Sequence, residues 1–221
     1  MLNPKILPEI FYEDNHLIVL GKPAGLLSQG EKTGDENLVD WLRQKVGRKY
    51  VGLVHRLDRN TSGIMVVAKR TKAASRLSAF LVEGHIRRSY LAFVEGKLNQ
   101  EVLWQHRLWK DPKLNKVEVV SRNHPQGKDA SLRARPTRET VWRGRNLTLV
   151  EYVLETGRSH QIRVQSAKEG FPILGDHKYG KPPFDFPRPA LHSFEITFPH
   201  PMDVEKIMNF KAPLPADMGS L

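Results

Sequence analysis

Apolar residues recur along this chain with two periods. Leu38, Trp41, Leu42 and Val46 follow helical spacing, and Gly47 can end that helix. A second helix is predicted over 71–82, where Ala74, Leu77, Phe80 and Leu81 share one face, with Thr71 as N-cap and Gly84 just past the end. Alternation predicts strands. Over 86–94, Tyr90, Ala92 and Val94 oppose Leu91 and Phe93; over 147–156, Val150, Tyr152 and Leu154 oppose Leu149, Glu151 and Val153; over 190–198 the pattern repeats. Shorter β-rich runs lie at 17–20, 63–69 and 117–120. A Gly157-Arg158-Ser159-His160 turn leads into a helix that ends near Gly170. Segments 107–128 and 178–189 lack either period and read as loops. Strands and helices do not alternate regularly, which predicts an α+β fold with a mixed or mostly antiparallel central sheet. No linker or repeat interrupts the chain, so one domain is expected over 1–221, with its core at about 10–215.

Composition narrows the partner. The chain has 221 residues, 39% of them hydrophobic and 27% charged, which supports a packed core. Its net charge is +11, an excess that suits a polyanion, either nucleic acid or an anionic membrane. The longest apolar runs, 17–20 and 64–68, are too short to span a bilayer, and the first residues lack the pattern of a secretory signal; a cytoplasmic protein is expected. With no cysteine, thiol nucleophiles, disulfides and Cys-ligated metals are excluded. The nine histidines are scattered, no phosphate-loop or dinucleotide glycine pattern occurs, and neither a metal nor a small-molecule cofactor is expected.

Charge is distributed unevenly. Between Asp40 and Glu83 stand Arg43, Lys45, Arg48, Lys49, Arg56, Arg59, Lys69, Arg70, Lys72 and Arg76, with one acid, Asp58, among them. Adjacent cations favour the ionised carboxylate, which suits a nucleophile, a weak base or an ion-pair anchor better than a general acid. On charge pattern alone the structural salt bridge is the default. A second basic cluster comprises Arg158, Arg163 and Lys168, where a helix start after Gly157 could hold an anion on its backbone N–H groups. Arg133, Arg135, Arg138, Arg143 and Arg145 form a third.

The run His55-Arg56-Leu57-Asp58-Arg59-Asn60-Thr61-Ser62-Gly63 resembles the signature of RluA-type pseudouridine synthases, which modify uridines in RNA. Lys22-Pro23-Ala24-Gly25-Leu26, Ser89-Tyr90-Leu91-Ala92, Gly157-Arg158-Ser159-His160-Gln161-Ile162-Arg163-Val164 and Pro172-Ile173-Leu174-Gly175-Asp176 with Tyr179-Gly180 resemble further motifs of that family, in its order. The resemblance implies the pseudouridine synthase fold, with its active site in a basic cleft. It implies that Asp58 is the catalytic carboxylate. Tyr90 would pack on the target uracil and could serve in proton removal from C5, and Arg163 would pair with Asp58. Arg56 would enter the space left by an extruded nucleotide. Ile162 would line the uracil pocket, and His55, Leu57 and Arg158 complete the substrate-binding set. The matching region begins within about the first twenty residues, so the S4-like module of many relatives is not expected. Two departures stand out: Gln165 where the family often has His, and His177-Lys178 where Pro-Leu is common.

The implied reaction moves uracil from an N1–C1′ to a C5–C1′ bond, an isomerisation that needs no redox cofactor, nucleotide or metal. The base must leave its stack, which costs least in loops and bulges, so a uridine in structured rRNA or tRNA is expected, modified by a monomer. Three rivals make different predictions. A non-catalytic RNA-binding protein would release no C5 proton, a nuclease calls for clustered acids, and a nucleotide hydrolase for a second carboxylate.

Overall fold

A computed structural model describes residues 7–31, 34–47 and 50–221; Arg48 and Lys49 of the basic interval lie outside them. The chain divides into two compact units, Met1–Arg88 with His192–Leu214, and Ser89–Leu191 with Pro215–Leu221.

The first unit holds β1 (Glu9–Glu13), β2 (Leu17–Lys22), α1 (Leu38–Val46), β3 (Gly52–Leu53), β4 (Ser62–Ala68) and α2 (Thr71–Val82), and takes back β10 (Leu191–His200) and β11 (Asp203–Lys211) from the end of the chain. Strand β4 is its centre. All seven residues of β4 are buried, as a near-continuous apolar run requires of a strand covered on both faces. It pairs antiparallel with β2 and β3 and parallel with β10, so the sheet is mixed. Leu17, Val19, Ile64, Val66, Ile196 and Phe198 meet Ala73 and Leu77 of α2 in one cluster. Helix α1 starts where the Asn37 side chain accepts the Asp40 N–H and stops at Gly47, in the left-handed conformation (φ 61°). Helix α2 begins one residue earlier than its predicted cap implies: Arg70 is the N-cap, without a side-chain bond, and Thr71 is helical.

The second unit is built on antiparallel strands. Strands β5 (Arg87–Glu95), β6 (Val102–Asp111), β7 (Lys116–Val120), β8 (Lys128–Trp142) and β9 (Arg145–Leu154) lie in the order β5-β9-β8-β6-β7. Helix α3 (Gln161–Lys168) packs Val164 against Leu108, Val117 and Ala130, and the short α4 (Ala216–Gly219) buries Met218. The α+β class with a mixed sheet is as expected. Segment 107–128 is not a loop: β6 runs through Asp111 and returns as β7, which covers the strand expected at 117–120. Arg107 and Glu118 stand on one face of this hairpin and the exposed Lys110 on the other, beside Leu108 and Val117, so charged residues break up the apolar alternation that would have revealed it. Residues 178–189 are irregular, as predicted. Among the described residues, no helix is long and apolar enough to cross a membrane.

Candidate active site

In the first unit the segment that carries Asp58 is held by hydrogen bonds on both sides of it. His55 is buried, and its Nε2 accepts the N–H of Val66 on β4 (3.2 Å). The neutral ring therefore carries its proton on Nδ1. Burial, then the nearby Arg88 guanidinium, pushes its pKa down to about 3. Arg56 is exposed. Leu57 is buried and bridged to Ser28 twice: its N–H donates to Ser28 Oγ (3.2 Å), and Ser28 Oγ donates to its carbonyl (2.7 Å). The Asp58 carbonyl closes a turn with the Thr61 N–H (3.0 Å). The Arg59 carbonyl accepts from Gly25 N–H (2.8 Å) and from Lys22 Nζ (3.1 Å). Lys22 is almost fully buried, and its ammonium also holds the carbonyls of Pro23 (2.9 Å) and Leu26 (2.7 Å). Arg59 returns its Nε to Gly25 O (3.1 Å) and pairs with Asp35 (2.8 Å).

The two loop motifs of this unit are thus one body, with the half-buried Asp58 displayed between a buried Leu57 and a clamped Arg59. Behind it, Gly63 (φ +117°) lies so near β10 that a Cβ would stand 2.1 Å from Ser193 O. Ser62 Oγ contacts His192 Nδ1 (2.9 Å), and Ser193 Oγ donates to Ile64 O (3.0 Å), which ties the loop's exit to the sheet.

In the second unit Tyr90 is buried on β5, opposite Tyr152 of β9. Burial pushes the Tyr152 phenol far up, and its hydroxyl contacts Ser166 Oγ (2.8 Å), so it is a packing residue rather than a base. Ile162 is buried at the start of α3. The α3 entry differs from the open anion site predicted around Gly157. Gln161 Oε1 accepts the Arg158 N–H (3.0 Å) and the Thr156 hydroxyl (2.8 Å), and the Gln161 N–H bonds Arg158 O (3.2 Å). The backbone N–H groups of Arg158 and Gln161 are thus bonded within the protein. The exposed Arg158 side chain donates to Asp129 O (2.9 Å).

Arg163 is held by an acid to which sequence reasoning gave no role. Its Nε and Nη2 donate to Asp176 at 2.7 and 2.8 Å, and its guanidinium lies 5.2 Å from the centre of the Tyr179 ring. Asp176 was visible only as part of the Leu174-Gly175-Asp176 motif. Gln165, the departure from the family pattern, is fully buried, and its Nε2 donates to Trp104 O (3.2 Å) and contacts His106 Nδ1 (2.9 Å). The third arginine cluster is largely ion-paired. Arg133 meets Glu101 and Glu155, Arg135 meets Glu151, and Arg145 meets Glu95 and Asp185. Among the described residues no three His, Asp or Glu side chains converge as a metal site would need.

An α+β fold and a strongly basic chain suit a protein whose partner is a polyanion. The fold matches that of human RNA pseudouridylate synthase domain containing 1, with a TM-score of 0.81 at 23% identity, over 96% of this chain and 86% of that one. The chain belongs to the RNA pseudouridylate synthase family, which it matches over residues 16–168. It is 36% identical to the uncharacterized RNA pseudouridine synthase YlyB of Bacillus subtilis (strain 168), over 96% of this chain and 71% of that protein. It is 35% identical to ribosomal large subunit pseudouridine synthase C of Haemophilus influenzae, over 96% and 67% respectively. The protein is an RNA pseudouridine synthase, an isomerase that acts on RNA.

Proposed function

We propose that this enzyme isomerises one or a few uridines of structured ribosomal RNA, with Asp58 as the reacting carboxylate. The observation that carries the assignment is the bracing of Asp58. It is the one acid between Asp40 and Glu83, and the backbone on both sides of it is hydrogen-bonded to Ser28, Gly25 and Lys22. A carboxylate that only balanced surface charge would not need such a frame; a reagent that must meet one sugar or base atom does. Ribosomal RNA is favoured over tRNA because relatives that match nearly the whole chain are named ribosomal large subunit synthases.

In this reading the target nucleotide leaves its stack, and Arg56, exposed beside Asp58, fills the space it leaves. Tyr90 offers its ring to the uracil and serves in loss of the C5 proton. Ile162 lines the base pocket, and Arg158 contacts the backbone. Arg163 pairs with the reacting carboxylate and orients it. His55 and Leu57 support the substrate site from beneath, since both are buried. The enzyme acts as a cytoplasmic monomer without a small-molecule cofactor, and 1–221 works as one catalytic domain.

Asp58→Asn keeps the shape of the side chain and removes its charge. The expected result is loss of tritium release from RNA labelled at uridine C5, with RNA affinity within about twofold of wild type, since a carboxylate contributes nothing to phosphate binding. Undiminished release by the variant would remove Asp58 from the chemistry.

A further inference from the structure

Arg163 is a long side chain with considerable rotational freedom, and the second unit removes that freedom in several ways at once. Asp176, wholly buried, takes both Nε and Nη2. The same carboxylate is fixed in turn: Oδ1 accepts the N–H of Lys178 (3.0 Å) and of Tyr179 (3.3 Å), and the Asp176 carbonyl accepts from Gly180 (2.7 Å). Tyr179 supplies the second face of the clasp, its ring lying beneath the guanidinium. Its hydroxyl oxygen accepts the N–H of Val117 on β7 (2.9 Å) and stands 2.7 Å from His160 Nδ1, just before α3. A further tie runs from Lys178 Nζ to Asn115 O in the turn of the same hairpin (2.9 Å).

We propose that Asp176 and Tyr179 are positioning residues for the isomerisation. Together they aim Arg163, and Tyr179 sets that aim from the β6–β7 hairpin through the Val117 N–H. The proposal rests on the role given to Arg163 above. It assigns Asp176 and Tyr179 no contact with the reacting atoms. A surface arginine would need only one acid partner. A guanidinium held edge-on by a buried carboxylate, stacked on a ring that is itself bonded to a strand and a helix entry, is held to one orientation.

Tyr179→Phe keeps the ring and loses both hydroxyl contacts, while Asp176→Asn keeps the size and replaces one acceptor with a donor. The test uses the full chain and total RNA, labelled at uridine C5 with tritium, from cells that lack the protein. Single-turnover rate, RNA affinity and melting temperature are measured together. Tyr179→Phe is expected to slow turnover roughly tenfold and Asp176→Asn up to roughly a hundredfold, the scale of a reacting group displaced by about 1 Å. RNA affinity should stay within about twofold, because neither residue meets a phosphate in this reading. In an Arg163→Lys background, where no planar fork is left to aim, the Tyr179→Phe slowing should shrink to within about twofold, as coupled residues require. Wild-type turnover by Tyr179→Phe, or a slowing that persists in full beside Arg163→Lys, overturns the proposal. Wild-type turnover by Arg163→Lys alone instead removes the role of Arg163 on which it rests. Should Asp176→Asn fail to fold, Tyr179→Phe decides the matter alone.

Discussion

His55 shows how completely surroundings can set the chemistry of one side chain. In the sequence it is a basic-looking member of the signature. In the fold it is buried, neutral and occupied with the Val66 N–H. Its pKa, moved from 6.5 to about 3 by burial and then by Arg88, has a consequence for stability. The unfolded chain takes up a proton as pH falls below 6.5 and the native protein does not, so stability declines from there toward pH 3, by up to about 1.4 kcal/mol per pH unit. Urea denaturation at pH 7, 6 and 5 should show this slope in the wild type and a shallower one in His55→Gln; equal slopes would contradict it. Asp58 could be singled out by its isolation among cations, whereas Lys22 could not be assigned its part. That a lysine is buried and binds three carbonyls, one of them 37 residues away, depends on how two loops meet.

Among the elements, the glycine-led strand β4 carries the most consequence. Gly63 ends the signature and begins the central strand, and its positive φ and close approach to Ser193 leave no space for a Cβ. Gly63→Ala should cost on the order of 3 kcal/mol from backbone strain and overpacking together. It should also lower turnover by more than the fraction unfolded accounts for, because the shift is passed to the Asp58 loop. Thermal melts alongside tritium release measure both, and an unchanged melting temperature would refute the close approach. Helix α1, its glycine stop and the strands β2, β4, β5, β9 and β10 were legible because their apolar periods are uninterrupted. Strand β7 was legible as the run at 117–120, but β6, its pairing with β7 and most of the fifteen-residue β8 were not. Their outward positions are rich in Arg, Lys and Glu, and only pairing to neighbours reveals them as strands.

For the whole molecule, a net charge of +11 makes affinity for RNA general and salt-dependent, and in the proposed function specificity comes from contacts to one extruded nucleotide. Part of the positive charge is already balanced: Arg133, Arg135, Arg145, Arg163 and Arg188 each face a carboxylate, so a count of basic residues overstates the surface offered to phosphate. Mapping pseudouridines in total RNA from cells with and without the protein should show the loss of one or a few sites in large-subunit ribosomal RNA; an unchanged map would exclude the proposed substrate. The amino-acid order by itself determined the fold class, the family and the carboxylate in its basic surroundings, because these follow from local periodicity and from contiguous motifs. Only the tertiary structure decided that Lys22 and Ser28 brace the Asp58 loop, that Gln161 closes the entry of α3, and that Asp176 and Tyr179 hold Arg163. The first and last of these are meetings of groups separated along the chain and the second is a local turn, and in each case burial with directed hydrogen bonds, rather than composition, fixes which groups meet.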